Sequence, residues 1–176
     1  MFRSRVWAAT LVCLAASFGL ANSSSAMGAA LPSTEALESS TSLKSVTLVI
    51  DYGAGSKLAT KVVDLTDIPS STSGWALFGL AKQRVQGTQQ FPVGFVCRIN
   101  GWPTVKKQNC AGTPAYRDGH WAYYVTNYQL GAGWILSGQG AATHIPDCGS
   151  YEGWSWVASG QPNRPPRYKV ETRACK

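Results

Sequence analysis

Apolar and polar residues alternate along most of the chain, with the period of two that belongs to strands buried on one face. In SVTLVIDYGAGSKLATKVVDL, Val46, Leu48 and Ile50 alternate with Thr47, Val49 and Asp51. Gly53-Ala54-Gly55-Ser56 then turns the chain into residues 58–65, which predicts a β-hairpin. PSSTSGWALFGLAKQ breaks the period. There Ser71 or Ser73 caps a short helix whose apolar face carries Trp75 and Phe78, joined by Leu77 or Ala81. Gly79 limits that helix to about two or three turns. Residues 93–99 return to alternation, with Phe95, Cys97 and Ile99 facing one way and Val96 and Arg98 the other. Asn100-Gly101 supplies the positive φ values of a tight turn. HWAYYVTN sets Trp121, Tyr123 and Val125 opposite Ala122 and Tyr124. GWILSGQGA reads as a short strand and turn, and GSYEGWSWVA sets Trp154 and Trp156 opposite Ser155 and Val157. The order β-β-α-β-β-β-β predicts an α+β domain, one short helix packed on a mixed β-sheet.

Both ends depart from this pattern. Arg3 and Arg5 precede the uncharged run VWAATLVCLAASFGLA, and small residues follow in NSSSAMGAA. This predicts a secretory signal peptide over 1–26, with cleavage near 26–30. Ser17 and Gly19 interrupt a run already shorter than the ~20 residues of a membrane span, so no stable membrane anchor is expected after processing. The expected location is extracellular. Residues 27–44 read as a flexible linker, 45–157 as the folded domain, and 158–176 as a Pro-rich tail that only Cys175 can tie down.

Charge and cysteine content narrow the function classes. The 16 Lys and Arg residues against 9 Asp and Glu give a net charge of +7, and loss of Arg3 and Arg5 leaves +5. Apart from Lys106-Lys107 and the tail, the basic residues are scattered, so no nucleic-acid partner is expected. Cys97, Cys110, Cys148 and Cys175 remain after processing, and an even count in an exported chain predicts two disulfides. Spacing alone leaves three connectivities open. With no CxxC pair and only His120 and His144, no metal site and no cofactor are expected.

GFVCRINGWPTVKKQNC, TPAYRDGHWAYYV, GWILSGQGAATHIP and GSYEGWSWV together resemble a bacterial exported domain related to the C-terminal domain of transcobalamin, most closely its actinobacterial branch. The resemblance covers about residues 45–157, and the Pro-Pro-Arg tail ending in Cys175 is similar too. His120-Trp121 stands where the family usually has a Tyr-Trp pair. The resemblance implies a β-grasp fold and, with it, bridges Cys97–Cys110 and Cys148–Cys175. It also implies a cobalamin-like micronutrient as one class of ligand.

No catalytic set is evident. Neither histidine lies in a nucleophile motif, Asp118 and His120 read as loop residues, and Asp147 and Glu152 read as flanks of a turn. The aromatic residues carry more information. Trp102 follows Asn100-Gly101 and Trp134 follows Gly131-Ala132-Gly133, in loops where rings are often exposed and suited to a ligand or partner. Trp102, Trp134, Tyr124 and Tyr151 are therefore the expected ligand-binding residues. The expected function is a secreted, non-catalytic binding module of the cell envelope or exterior, for a small ligand. The alternative is an inhibitor or adhesion module that meets an envelope protein through the stapled loop 100–119.

Overall fold

The computed structural model describes residues 42–126 and 133–175. The expected signal peptide, its cleavage site and most of the expected linker lie outside the described residues. Strands β1 (Leu43–Asp51) and β2 (Lys61–Pro69) form the expected antiparallel hairpin. Helix α1 (Leu77–Leu80), β3 (Val85–Gly87) and β4 (Val96–Ile99) follow. A 3-10 turn at Tyr116–Asp118 leads into β5 (His120–Thr126), β6 (Trp134–Leu136) and β7 (Tyr151–Val157). No described helix is long and apolar enough to cross a membrane.

Three expectations are corrected. The helix is a single turn of four residues instead of two or three turns, with Gly79 in its middle weakening propagation. A strand that alternation does not reveal, β3, pairs with β4 in a separate two-stranded sheet, because three residues are too few to display a period. The linker ends earlier than 44: β1 begins at Leu43, and Lys44 is already buried.

The main sheet runs β2-β1-β7-β5-β6, with β1 and β7 parallel and the other neighbours antiparallel. Strand phase decides what each face holds. Val46, Leu48 and Ile50 of β1, Trp121 and Tyr123 of β5 and Trp154 of β7 share one face with Leu77 and Phe78 of α1 and with Val96 and Ile99 of β4. Tyr123 stacks on Trp154 at 4.7 Å, and Phe78 meets Trp154 at 5.5 Å. The phases expected for β5 and β7 therefore hold. Strand β4 departs from simple alternation, since all four of its residues are buried. Val96 and Ile99 enter the core, Cys97 bonds Cys110, and Arg98 turns into the following loop.

The opposite face is covered by the tail, which crosses the sheet. Val49 and Tyr151 pack with Val170 and Tyr168. A side chain at Gly153 would run into the rings of Trp134 and Pro166, so glycine lets the tail and β6 close over β7. Disulfides Cys97–Cys110 and Cys148–Cys175 are both formed, with Cα separations of 5.6 and 5.1 Å. They are the pairs that the resemblance implies, and each contributes roughly 2–4 kcal/mol in the chain-entropy account.

Candidate binding cleft

The loop after β4 starts with the tight turn expected of Asn100-Gly101, whose φ values are 50° and 82°. Ile99 and Trp102 exchange backbone hydrogen bonds of 2.9 Å across it. Asn100 fixes the turn from its side chain: Oδ1 accepts the Arg84 N–H, and Nδ2 donates to the Tyr52 hydroxyl and to Gln83. Beyond the turn, buried Arg98 donates to the carbonyls of Pro103 and Gln108 and to the Gln86 side chain, each at 2.6 Å. Together with Cys97–Cys110 these bonds hold residues 102–110 in one conformation.

The tail is held as firmly. Arg167 donates three hydrogen bonds to the Asp51 carboxylate, from its backbone N–H at 2.8 Å, Nε at 2.9 Å and Nη2 at 2.7 Å. The Gly53 N–H adds a fourth at 2.9 Å. Burial pushes the Asp51 carboxyl up, but these donors outweigh it and hold the group below its ordinary range. Further along, Arg173 meets Asp64 at 2.6 Å.

Between the two fixed segments, at the end of β1 and β7, lies a cleft of about 300 Å³. Trp102 and Lys107 come from the stapled loop, Trp156 from β7, and Arg164 and Arg167 from the tail; Asp51 and the turn at 53–55 complete it. The Trp102 and Trp156 rings meet edge to face, 6.4 Å apart at 78°. The Lys107 ammonium sits 4.6 Å from the Trp102 centroid, a cation–π distance. A second hollow, of about 390 Å³, borders Arg173 and Asp64, whose charges are already paired with each other.

The structure does not bring the four expected ligand-binding residues together. Trp102 lines the cleft, though half-buried instead of free in a loop. Trp134 lies on the opposite face as the first residue of β6, with Nε1 donating to the Tyr168 carbonyl at 2.9 Å and its ring edge-on to Tyr151. Tyr124 and Tyr151 are only 5 % and 2 % exposed. Val170 and Tyr168 of the tail close off Tyr151, while Trp134 and Val157 pack against Tyr124, and nothing in the local sequence around either tyrosine shows it. Of the cleft residues, Trp156, Lys107, Arg164 and Arg167 were not singled out from sequence, because they come from segments far apart in the chain.

A second cluster also went unrecognised. Glu152 is not the flank of a turn: it is a core-facing residue of β7, 0 % exposed. The Tyr123 hydroxyl donates to its Oε2, and His144 Nε2 lies 3.3 Å from Oε1. Lys44 is fastened nearby, donating to the carbonyls of Pro146 at 2.7 Å and Thr72 at 3.2 Å. Burial raises the Glu152 carboxyl above its ordinary range, and the hydrogen bond to Glu152 raises the His144 imidazole. Burial also raises the Tyr123 phenol and lowers the Lys44 ammonium. One signal was available in the sequence: Glu152 shares its strand phase with Trp154 and Trp156, which places a carboxylate on an apolar face. Nε2 of His120 meets Asn163 at 2.7 Å, and Asp118 accepts the Ala115 N–H. Among the described residues no cluster of His, Cys, Asp or Glu is arranged to hold a metal ion. The chain matches no protein-family model, and a search of curated proteins returned no match.

Proposed function

We propose that the chain is an exported, non-catalytic binding module on a β-grasp fold, with its ligand site in the Trp102–Trp156 cleft. The β-grasp reading rests on the main sheet. Counting only its own strands in chain order, they run 2-1-5-3-4, with the first and last parallel at the centre. Two disulfides favour an oxidising, extracellular setting.

The observation that carries the function is that both main walls of the cleft are stapled. One wall belongs to the loop closed by Cys97–Cys110, the other to the tail closed by Cys148–Cys175. A site ordered before its ligand arrives loses little conformational entropy on binding. The non-catalytic reading is supported by the lining, whose one carboxylate has both oxygens committed to Arg167 and Gly53. A cobalamin-like micronutrient, the class implied by the resemblance, would rest an edge in a cleft of about 300 Å³ without being enclosed.

Titration of the purified, disulfide-intact protein with cyanocobalamin, followed in the corrin absorption bands, tests that class. Saturable shifts that Trp102→Ala removes would support it; no shift at millimolar corrin would exclude it. The reading as an adhesion or inhibitor module draws on one observation, Val105, 70 % exposed on the stapled loop. It gains support if Val105→Asp abolishes retention on envelope fractions while binding in the cleft persists.

A further inference from the structure

We infer that the cleft selects a small planar aromatic anion, a flat ring system bearing one carboxylate-type group. This rests on the reading of the cleft as the binding site and goes beyond it to the ligand's chemistry.

Lys107, Arg164 and Arg167 line the cleft against a single carboxylate, Asp51, a net balance of +2. Arg167 and Asp51 are bonded to each other, so the remaining charge belongs to Lys107 and Arg164. Neither has an ion pair with an acid among the described residues. The Asp51 oxygens already receive four hydrogen bonds, while the Lys107 ammonium and the Arg164 guanidinium offer only donors and the Gln161 amide offers both a donor and an acceptor. A ligand here must bring acceptors, and an anion bonds such donors more strongly than a neutral group does.

Trp102 and Trp156 meet at 78°, forming a corner in which a flat ring stacks on one indole and abuts the other. The same geometry disfavours a cation, because Lys107 already occupies the cation–π position on Trp102. The ligand's ring then fills the corner while its anionic group reaches the Lys107 and Arg164 side.

Three naphthalene probes of nearly equal shape separate these terms: 2-naphthoate, 2-naphthalenemethanol and 2-naphthylmethylammonium. Each is titrated into the ¹⁵N-labelled, disulfide-intact protein at low salt, with the indole N–H signals of Trp102 and Trp156 as readout. Naphthoate should shift both signals saturably and bind about tenfold more tightly than the alcohol, with the ammonium probe weakest. In the double variant Lys107→Gln/Arg164→Gln the preference for naphthoate over the alcohol should vanish, because naphthoate loses far more affinity than the alcohol does. Equal affinities for naphthoate and the alcohol in the unaltered protein would overturn the anion inference and leave the cleft as a site. If no probe perturbs Trp102 or Trp156, the cleft reading falls and the inference falls with it.

Discussion

Asp51 and Glu152 lie on the two parallel central strands, and both carboxylates are almost completely shielded from water, with side chains 2 % and 0 % exposed. Their ionisation is nevertheless driven in opposite directions. Asp51 ends β1 on the tail face, where an arginine and two backbone N–H groups converge on it and hold its pKa down despite burial. Glu152 lies near the start of β7 on the core face, where a phenol, an imidazole and a more distant ammonium do not offset burial, and its pKa rises. Both depth and donors set the direction: Glu152 is the more deeply enclosed of the two, and Asp51 has the more numerous charged and backbone donors. Asp51 therefore acts as an anchor for the tail that walls the cleft. Glu152 and His144 lie 3.3 Å apart, so the ionisation of each depends on the state of the other.

The comparison breaks most severely at Glu152. Replacing it with Ala removes the counter-charge of His144 and the acceptor of Tyr123 in a buried site, and should cost about 3–5 kcal/mol. Glu152→Gln preserves the shape and mimics the protonated carboxyl, so it should cost less than half as much in urea denaturation. Equal costs would mean that the charge of Glu152, and not its shape, sustains the cluster.

Gly74→Ala tests the same site through space. Its added methyl would run into the Tyr123 hydroxyl and lie 3.1 Å from Glu152 Oε2. The expected loss is about 1–3 kcal/mol, with a displaced Tyr123 resonance; an unperturbed Tyr123 would show that the segment around Gly74 yields instead.

Asp51→Asn addresses the other carboxylate. Because Arg167 is 57 % exposed, solvent screening reduces the cost to about 1–2 kcal/mol. Limited proteolysis should cut the tail between residues 158 and 167 faster in this variant, whereas Glu152→Gln should leave that rate unchanged. Equal rates in Asp51→Asn and the parent protein would show that the tail is held by its disulfide and by apolar packing alone.

The smallest expected effect is a pH dependence with two limbs. His144 and Glu152 have folded pKa values above their ordinary 6.5 and 4.5. Their contribution is fully present below those ordinary values and is lost as pH rises through the folded ones. Asp51 and Asp64 lie below their ordinary 3.8, so their contribution is present above 3.8 and is lost as pH falls through the folded values. Unfolding free energy should therefore rise as pH falls through the neutral range toward 4.5 and fall again below 3.8. Glu152→Gln should flatten the upper limb and Asp51→Asn the lower. A profile in which each variant alters the other limb would reverse the assignment.

Alternation along the chain determined which residues of β1, β5 and β7 face the core, because a strand's side chains must point to opposite sides. It carried the position of Glu152 as well, two residues before Trp154 on the same face. The Asn100-Gly101 turn was legible for the same local reason, since few residue pairs accept successive positive φ values. The course of the tail was not legible: a Pro-rich segment without periodicity lies wherever Cys175, Arg167 and Val170 find their partners. Only that course covered Tyr151 and brought Arg164 to a cleft with Lys107, 57 positions away in the chain. Local sequence sets backbone conformation and facing through near-neighbour sterics, whereas a site built from four distant segments exists only once the sheet, the stapled loop and the tail have closed on one another.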